Sequence, residues 1–190
     1  MARDRDRRLN TARSATHRLG TLENPLDFMA EDHLREREVC TLIDRMVEGE
    51  PVDHEDIAMM RTFLIDDLPK HLADEESDLF PLMLERCDPD EEIDKMITRL
   101  QADHRHAIGD SPAIAALIVA QADRKKPLSE TDCAKMSDFA THARRHLILE
   151  NAILLPLARA RLTKADLEKM RAHMLERRGQ ATEQGAEHAG

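Results

Sequence analysis

Apolar side chains recur every three or four positions along most of the chain, which is the period of an amphipathic α-helix. Asn24 followed by Pro25 predicts the start of a first helix, and Gly49 predicts its end. A second helix is predicted from near Asp53 to the turn RCDPDEE, which opens a third helix, and a fourth begins near Ser129. Four such helices joined by short turns predict an all-α fold, an antiparallel up-down four-helix bundle.

The inward stripes of these helices carry polar residues as well as apolar ones. In the fourth helix the stripe is predicted to contain Met136, Phe139, Ala143, His146, Glu150, Ile153 and Leu157.

In the third helix, Pro112 is expected to kink or split the helix, because proline has no N–H and clashes with the preceding turn.

The segments outside the bundle differ in composition from it. Thr163 and Asp166 form a capping-box-like start for a short fifth helix that is expected to end before Gly179. The terminal segments are polar and are expected to be disordered. The predicted organisation is a basic arm at 1–22, the bundle at 23–160, the C-terminal helix at 161–178 and a disordered tail at 179–190.

Composition narrows the class of protein. Four Phe with no Tyr or Trp disfavour a β-sandwich and leave no aromatic platform for nucleic acid, and the net charge of −10 disfavours phosphate-backbone binding. No apolar run approaches the roughly 20 residues of a membrane span, and the N-terminus lacks a secretory apolar region. Three widely spaced Cys are typical of reduced thiols. We therefore expect a cytoplasmic protein that binds neither nucleic acid nor membrane.

A repeat relates the two halves of the chain. HLADEESDLFPLM at 71–83 and HLILENAILLPLA at 146–158 match at six of thirteen positions, including the His, the Glu four residues later and a Pro ten residues after the His. Upstream of each copy is a lone inward His that follows an Asp, at His33 and His104. The two helices of one half are offset from those of the other by 71 and 75 residues. The sequence therefore predicts a pseudo-twofold bundle.

This spacing concentrates metal ligands in the core. Residues four apart share a helix face, so His71 and Glu75 point into the same interior volume, as do His146 and Glu150. Buried imidazoles and carboxylates are costly unless they are paired or bind a metal. Nitrogen and oxygen donors of this kind suit Fe, Mn, Zn or Cu. Two metal ions that share two carboxylates, with terminal His on each, are the natural arrangement for this ligand set.

The segments EDHLRE, KHLADEESDLFP, LQADHRH and RRHLILENAILLPLA resemble the hemerythrin-like HHE cation-binding domain family over about 24–160. The resemblance implies a four-helix bundle that holds a non-haem di-iron centre. It implies two iron ions with an oxo or hydroxo bridge, for which Mn or Zn are possible substitutes. The implied terminal ligands are His33, His71, His104 and His146, and the implied bridging ligands are Glu75 and Glu150.

The chain departs from the oxygen-carrying hemerythrins at one position. Those proteins have a second His one turn after the lone His of the third helix, where this chain has Ile108. Six ligands for two metals leave open positions, and His142, four residues before His146, is the best candidate for a seventh ligand. Glu76 and its acidic neighbours Asp74 and Asp78 are interpreted as surface residues or partners of the ligand imidazoles.

Three functions remain open. The first is a module that binds or senses O2, NO, peroxide, or iron or redox state, with a small diatomic molecule or peroxide as its partner. The second is a di-iron enzyme that decomposes peroxide or repairs nitric-oxide or iron–sulfur damage. The third is a structural metal bundle. Ile108 argues against a reversible oxygen carrier, and the sequence does not identify a protein partner.

Overall fold

The computed structural model describes residues 24–122 and 128–187, and in its final helix the side chains only as far as Gly179. The predicted arm at 1–22 and residues 188–190 of the predicted tail lie outside the described residues. The described part of the chain is helical and contains no strand. This confirms the all-α fold.

Four helices form the bundle and a fifth packs against it. They are α1 (Pro25–Val47), α2 (54–86), α3 (Ile93–Ala122), α4 (130–161) and α5 (Lys164–Glu187), with a 3₁₀ turn at Pro89–Glu91. Helix α1 packs against α4 and α2, and α3 packs against α4 and α2, which closes the ring of four.

The helices begin at the residues whose side chains cap them. The Asn24 carboxamide oxygen accepts the N–H of Leu26 at 2.9 Å, and Asp53 and Ser129 cap α2 and α4 in the same way. Gly49 has a φ of +80°, which suits a residue without a Cβ just after α1. These starts were all predicted from the sequence, because a cap depends on neighbouring residues only.

Helices α2 and α4 each contain a π-helical turn that starts at a core glutamate. The turns are Glu75–Leu79 and Glu150–Leu154, and the N–H of the residue after each turn donates to the glutamate carbonyl five residues back. A proline follows two residues beyond each turn, and the same relation holds between Phe63–Asp67 and Pro69. Because proline cannot donate to the carbonyl four residues back and clashes with it, widening the preceding turn relieves the conflict.

The π-turn in α4 changes which residues face the core. Leu154 is fully buried, whereas Ile153 is 48% exposed, so the prediction that Ile153 points inward is wrong. A π-turn adds one residue to the helical turn, so the side chains beyond it are shifted by about one position.

Two further predictions about helix continuity and length are corrected. Pro112 does not split helix α3, because the carbonyl freed at Ile108 lies on the exposed side of the helix, where water can reach it. The Ser111 hydroxyl also donates to the Ala107 carbonyl at 2.6 Å. Helix α5 does not end before Gly179 and continues to Glu187, although a disordered tail was expected there.

A buried ion-pair cluster holds α5 against α2. Arg178 donates two hydrogen bonds to Asp74, at 2.6 and 3.2 Å, and both side chains are at most 2% exposed. Arg177 bonds both Asp74 and Asp78, and His173 contacts Asp78 at 2.6 Å. Asp74 and Asp78 therefore anchor α5 instead of serving the ligand imidazoles.

Candidate metal centre

Six polar side chains meet in the middle of the bundle, between two apolar clusters. One apolar cluster includes Ile43 and Leu68, and the other includes Leu79 and Leu155. The six, each between 0 and 6% exposed, are His33, His71, Glu75, His104, His146 and Glu150. The structure thus brings together the six residues that the repeat predicted.

The six side chains divide into two groups. His33 from α1 and His71 from α2 form one group, and His104 from α3 and His146 from α4 form the other. Glu75 and Glu150 belong to both groups, and in each group one donor atom per residue lies within 4.8 Å of the others. Each half of the repeat therefore supplies one histidine pair, and both carboxylates are shared.

The two carboxylates face both histidine pairs. Oε1 of Glu75 lies 3.7 Å from Nε2 of both His33 and His71, while its Oε2 lies 3.3 Å from Nε2 of His104. Oε2 of Glu150 lies 3.3 Å from Nε2 of His33, and its Oε1 lies 2.9 Å from Nε2 of His146. Each glutamate thus offers one oxygen to each group, which is the geometry of a bridging carboxylate.

Several of these buried donor atoms have no hydrogen-bond partner in the described part of the chain. They include Nε2 of His33, His71 and His104 and both carboxylate oxygens of Glu75 and Glu150. An unsatisfied buried polar atom costs about 1–3 kcal/mol, so a convergent set of them is a strained arrangement without a cation. The donors fit two metal ions, each with two imidazoles and a share of two carboxylates.

The imidazoles and carboxylates of the centre shift one another's pKa values. Burial lowers the pKa of His33, but the Glu75 and Glu150 carboxylates outweigh burial and raise it to about 9. The same opposition raises the pKa of His104 to about 10. Burial raises the pKa of Glu75, yet the surrounding imidazoles, His71 first, hold it well below its usual range. Without a metal, His33 and His104 therefore bind protons at neutral pH, and an incoming cation must displace them.

One imidazole has its outer nitrogen bonded to an acidic side chain, and two others have a carboxylate near theirs. Glu76 accepts a hydrogen bond from Nδ1 of His104 at 2.9 Å, as the sequence suggested. Asp32 lies 3.6 Å from Nδ1 of His71. Asp103, its counterpart in the repeat, lies 4.0 Å from Nδ1 of His146. A carboxylate bonded to Nδ1, as Glu76 is to His104, leaves Nε2 to face the centre.

The two ends of the centre are built differently. Arg35 bonds both Asp32 and Asp67, at 2.7 Å to the latter, and so closes the end that His33 and His71 form. The repeat offsets of 71 and 75 residues place His106 and His142 where that end has Arg35 and Asp67. These two imidazoles stack with centroids 6.3 Å apart and are exposed.

His142 lies apart from the six residues of the centre. Its Nδ1–H donates to the carbonyl of Asp138 at 2.9 Å, and it belongs to neither ligand group. Its helical register matched that of His146, but the side chain turns to the surface next to His106. His142 instead lines the mouth of a cavity.

A cavity of about 100 Å³ reaches the centre from this end. His104 and His146 line its inner part, and the exposed His106, His142 and Asp110 line its mouth. His33 and His71 do not line it. The cavity therefore gives a small molecule a route to one histidine pair.

Glu36 also lines this cavity and was missed by the sequence reasoning. It is 4% exposed, and it makes no hydrogen bond with any of the described residues. Burial raises its pKa, although the imidazoles of His146 and His71 oppose this. Its position three residues after His33 on α1 puts both side chains on one helix face, and that spacing is the signal that could have identified it.

The comparisons with known proteins identify a cation-binding family for most of the chain. The hemerythrin HHE cation-binding domain matches residues 24–158. No curated protein and no solved structure matches the chain. None of the described helices is both long enough and apolar enough to cross a membrane.

Proposed function

This chain belongs to the hemerythrin HHE cation-binding domain family, and we propose that it carries a non-haem di-iron centre that binds or senses a small exogenous ligand. The ligand class is O2, NO or peroxide. One observation carries the proposal: the two histidine pairs share both glutamates, with one oxygen of each glutamate facing each pair.

Each histidine pair would hold one of the two ions. His33 and His71 would hold one ion, His104 and His146 would hold the other, and Glu75 and Glu150, which belong to both groups, would be shared by the two. Two iron ions supply a redox-active centre to which small oxygen and nitrogen ligands bind, and Mn or Zn could occupy the same donors. The hydrogen bond between Glu76 and Nδ1 of His104 keeps that imidazole oriented for this role.

Ligand binding is favoured over a purely structural role by the access route. A structural metal site is closed by protein ligands, whereas a reactive site keeps an open position. Here a cavity leads to His104 and His146, and six side chains leave coordination positions open on two ions. The apolar clusters on both sides of the centre supply a core that does not depend on metal.

Metal analysis tests the centre. We expect the anaerobically purified protein to contain about two iron ions per chain, one for each histidine pair. Glu75→Ala and His146→Ala should lose iron, because each removes a ligand from the core. Glu38→Ala and His54→Ala are matched controls at exposed positions and should retain it. Full iron content in both ligand variants would show that the centre is elsewhere.

Ligand titration separates sensing from catalysis. Nitric oxide and peroxide should each change the absorption spectrum of the iron-loaded protein. A spectral change without turnover of peroxide supports a binding or sensing role, whereas sustained peroxide decay supports the enzyme. Absence of any spectral change with either ligand would refute the access route.

A further inference from the structure

The buried carboxyl of Glu36 belongs to neither of the two candidate ligand groups, and it borders the cavity that leads to His104 and His146. We propose that Glu36 is the hydrogen-bonding partner of the exogenous ligand, so that the site favours ligands of the peroxide class over nitric oxide. This inference rests on the proposed function, since it needs a ligand at the iron centre.

The residues that line the cavity explain why the Glu36 carboxyl decides which ligand the cavity prefers. Apart from the histidines and the acidic residues, its lining is apolar, with Leu72, Ala107, Phe139 and Ala143. Asp110 is exposed at the mouth and is hydrated there, whereas Glu36 is almost completely buried. A buried polar group without a protein partner is stabilised when a ligand supplies the missing hydrogen bond.

The comparison of the two halves shows that Glu36 belongs to one end of the centre. The residue related to Glu36 by the repeat offset of 71 is Ala107, which cannot form a hydrogen bond through its side chain. The other end is closed by the bonds of Arg35 to Asp32 and Asp67. The pseudo-twofold bundle thus presents one open, hydrogen-bonding end and one closed end.

The chemistry of the candidate ligands differs at this point. Hydrogen peroxide and its anion both donate and accept hydrogen bonds, so a carboxyl can pair with them whether or not it carries its proton. Nitric oxide has no donor and is a weak acceptor. Azide is a stable anionic probe that only accepts hydrogen bonds, so it stands in for the peroxide anion as a partner of the protonated Glu36 carboxyl.

The experiment compares two probes on the iron-loaded, full-length protein. Azide is titrated into the oxidised protein and nitric oxide into the reduced protein, for the unaltered chain, Glu36→Leu and Glu36→Gln. We expect Glu36→Leu to weaken azide binding about tenfold or more, as for loss of a hydrogen bond to a charged group. Nitric oxide binding should stay within about threefold, and Glu36→Gln, whose amide still donates, should retain most of the azide affinity.

A matched substitution and a spectroscopic readout complete the test. Glu38→Leu, at an exposed site on the same helix, should leave both affinities unchanged. In the unaltered protein, the stretching frequency of bound azide should shift on exchange from H2O into D2O, and this shift should be absent in Glu36→Leu. The D2O measurement on the unaltered chain holds even if Glu36→Leu does not fold.

The outcomes distinguish the two proposals. An unaltered protein that binds neither iron nor either probe refutes the proposed function itself. If it binds them, three results overturn the role of Glu36. They are a Glu36→Leu variant in which azide binding is not weakened more than nitric oxide binding, the absence of a D2O shift in the unaltered protein, and loss of iron from the folded Glu36 variants, which would make Glu36 a metal ligand.

Discussion

The buried ion pair between Arg178 of α5 and Asp74 of α2 is expected to contribute strongly to the free energy of unfolding. Arg178→Met removes two hydrogen bonds to Asp74, a third to the Met174 carbonyl at 3.0 Å, and the placement of the guanidinium 4.8 Å from the Phe28 ring centroid. Methionine retains an unbranched apolar chain, so the change tests mainly the charge and its bonds. Asp74 would remain fully buried with one bond, from Arg177 at 2.8 Å.

The expected magnitude follows from that remaining bond. Removing one partner of a buried ion pair costs about 3–5 kcal/mol, because the other charge stays buried and uncompensated. Since Arg177 still compensates Asp74 in part, we expect the free energy of unfolding to fall by about 3 kcal/mol, at the lower end of that range. For a chain of this size, that loss lowers the melting temperature by about 6–12 °C.

Thermal and urea unfolding followed by circular dichroism measure this change. Arg105→Met is the matched control, because Arg105 is exposed on α3, and it should leave the melting temperature almost unchanged. A loss below about 1 kcal/mol for Arg178→Met would refute the reasoning, since it would place the pair among exposed ion pairs in energy.

Two further predictions concern the helix register and the pH dependence of the centre. Leu154→Ala should destabilise the fold by about 2–5 kcal/mol and Ile153→Ala by less than about 1 kcal/mol, and equal losses in urea unfolding would contradict the π-turn register. In the folded, metal-free protein the pKa values of His33 and His104 are raised to about 9 and 10. Their protonation therefore stabilises the fold fully at a pH below about 6.5, the pKa of an unfolded histidine, and this stabilisation is lost as the pH rises through 9–10. Iron binding should therefore release protons, and the affinity for iron should increase from pH 6 to about 9. Calorimetry in buffers of different ionisation enthalpy measures the proton release. An affinity that does not depend on pH would contradict the prediction.

Much of the fold could be predicted because its signals are local. The helix starts depend on side chains such as Asn24 and Ser129, which reach backbone groups two or three residues away. The candidate ligands could be found for a similar reason. Two His-x-x-x-Glu motifs put their donors on one helix face, and the matching stripe positions of His33 and His104 put theirs in the same core.

Other features depended on contacts between helices. His142 shares the register of His146, yet it lies at the surface beside His106 because the bundle leaves a cavity at that end. Pro112 sits inside a continuous helix because its side of α3 is exposed. Neither outcome is visible in the spacing of residues along one helix, since both depend on what packs against it.

The sequence by itself determined the all-α class, the helix starts and the six candidate donors that meet in the core, since periodicity and capping act within a helix. Tertiary structure alone decided that each glutamate divides its two oxygens between the histidine pairs, that Glu36 is buried beside one pair, and that Arg35 closes the other end. The reason is physical: a repeat in sequence specifies equivalent positions, but the atoms that meet at those positions come from different helices, and their packing sets the distances.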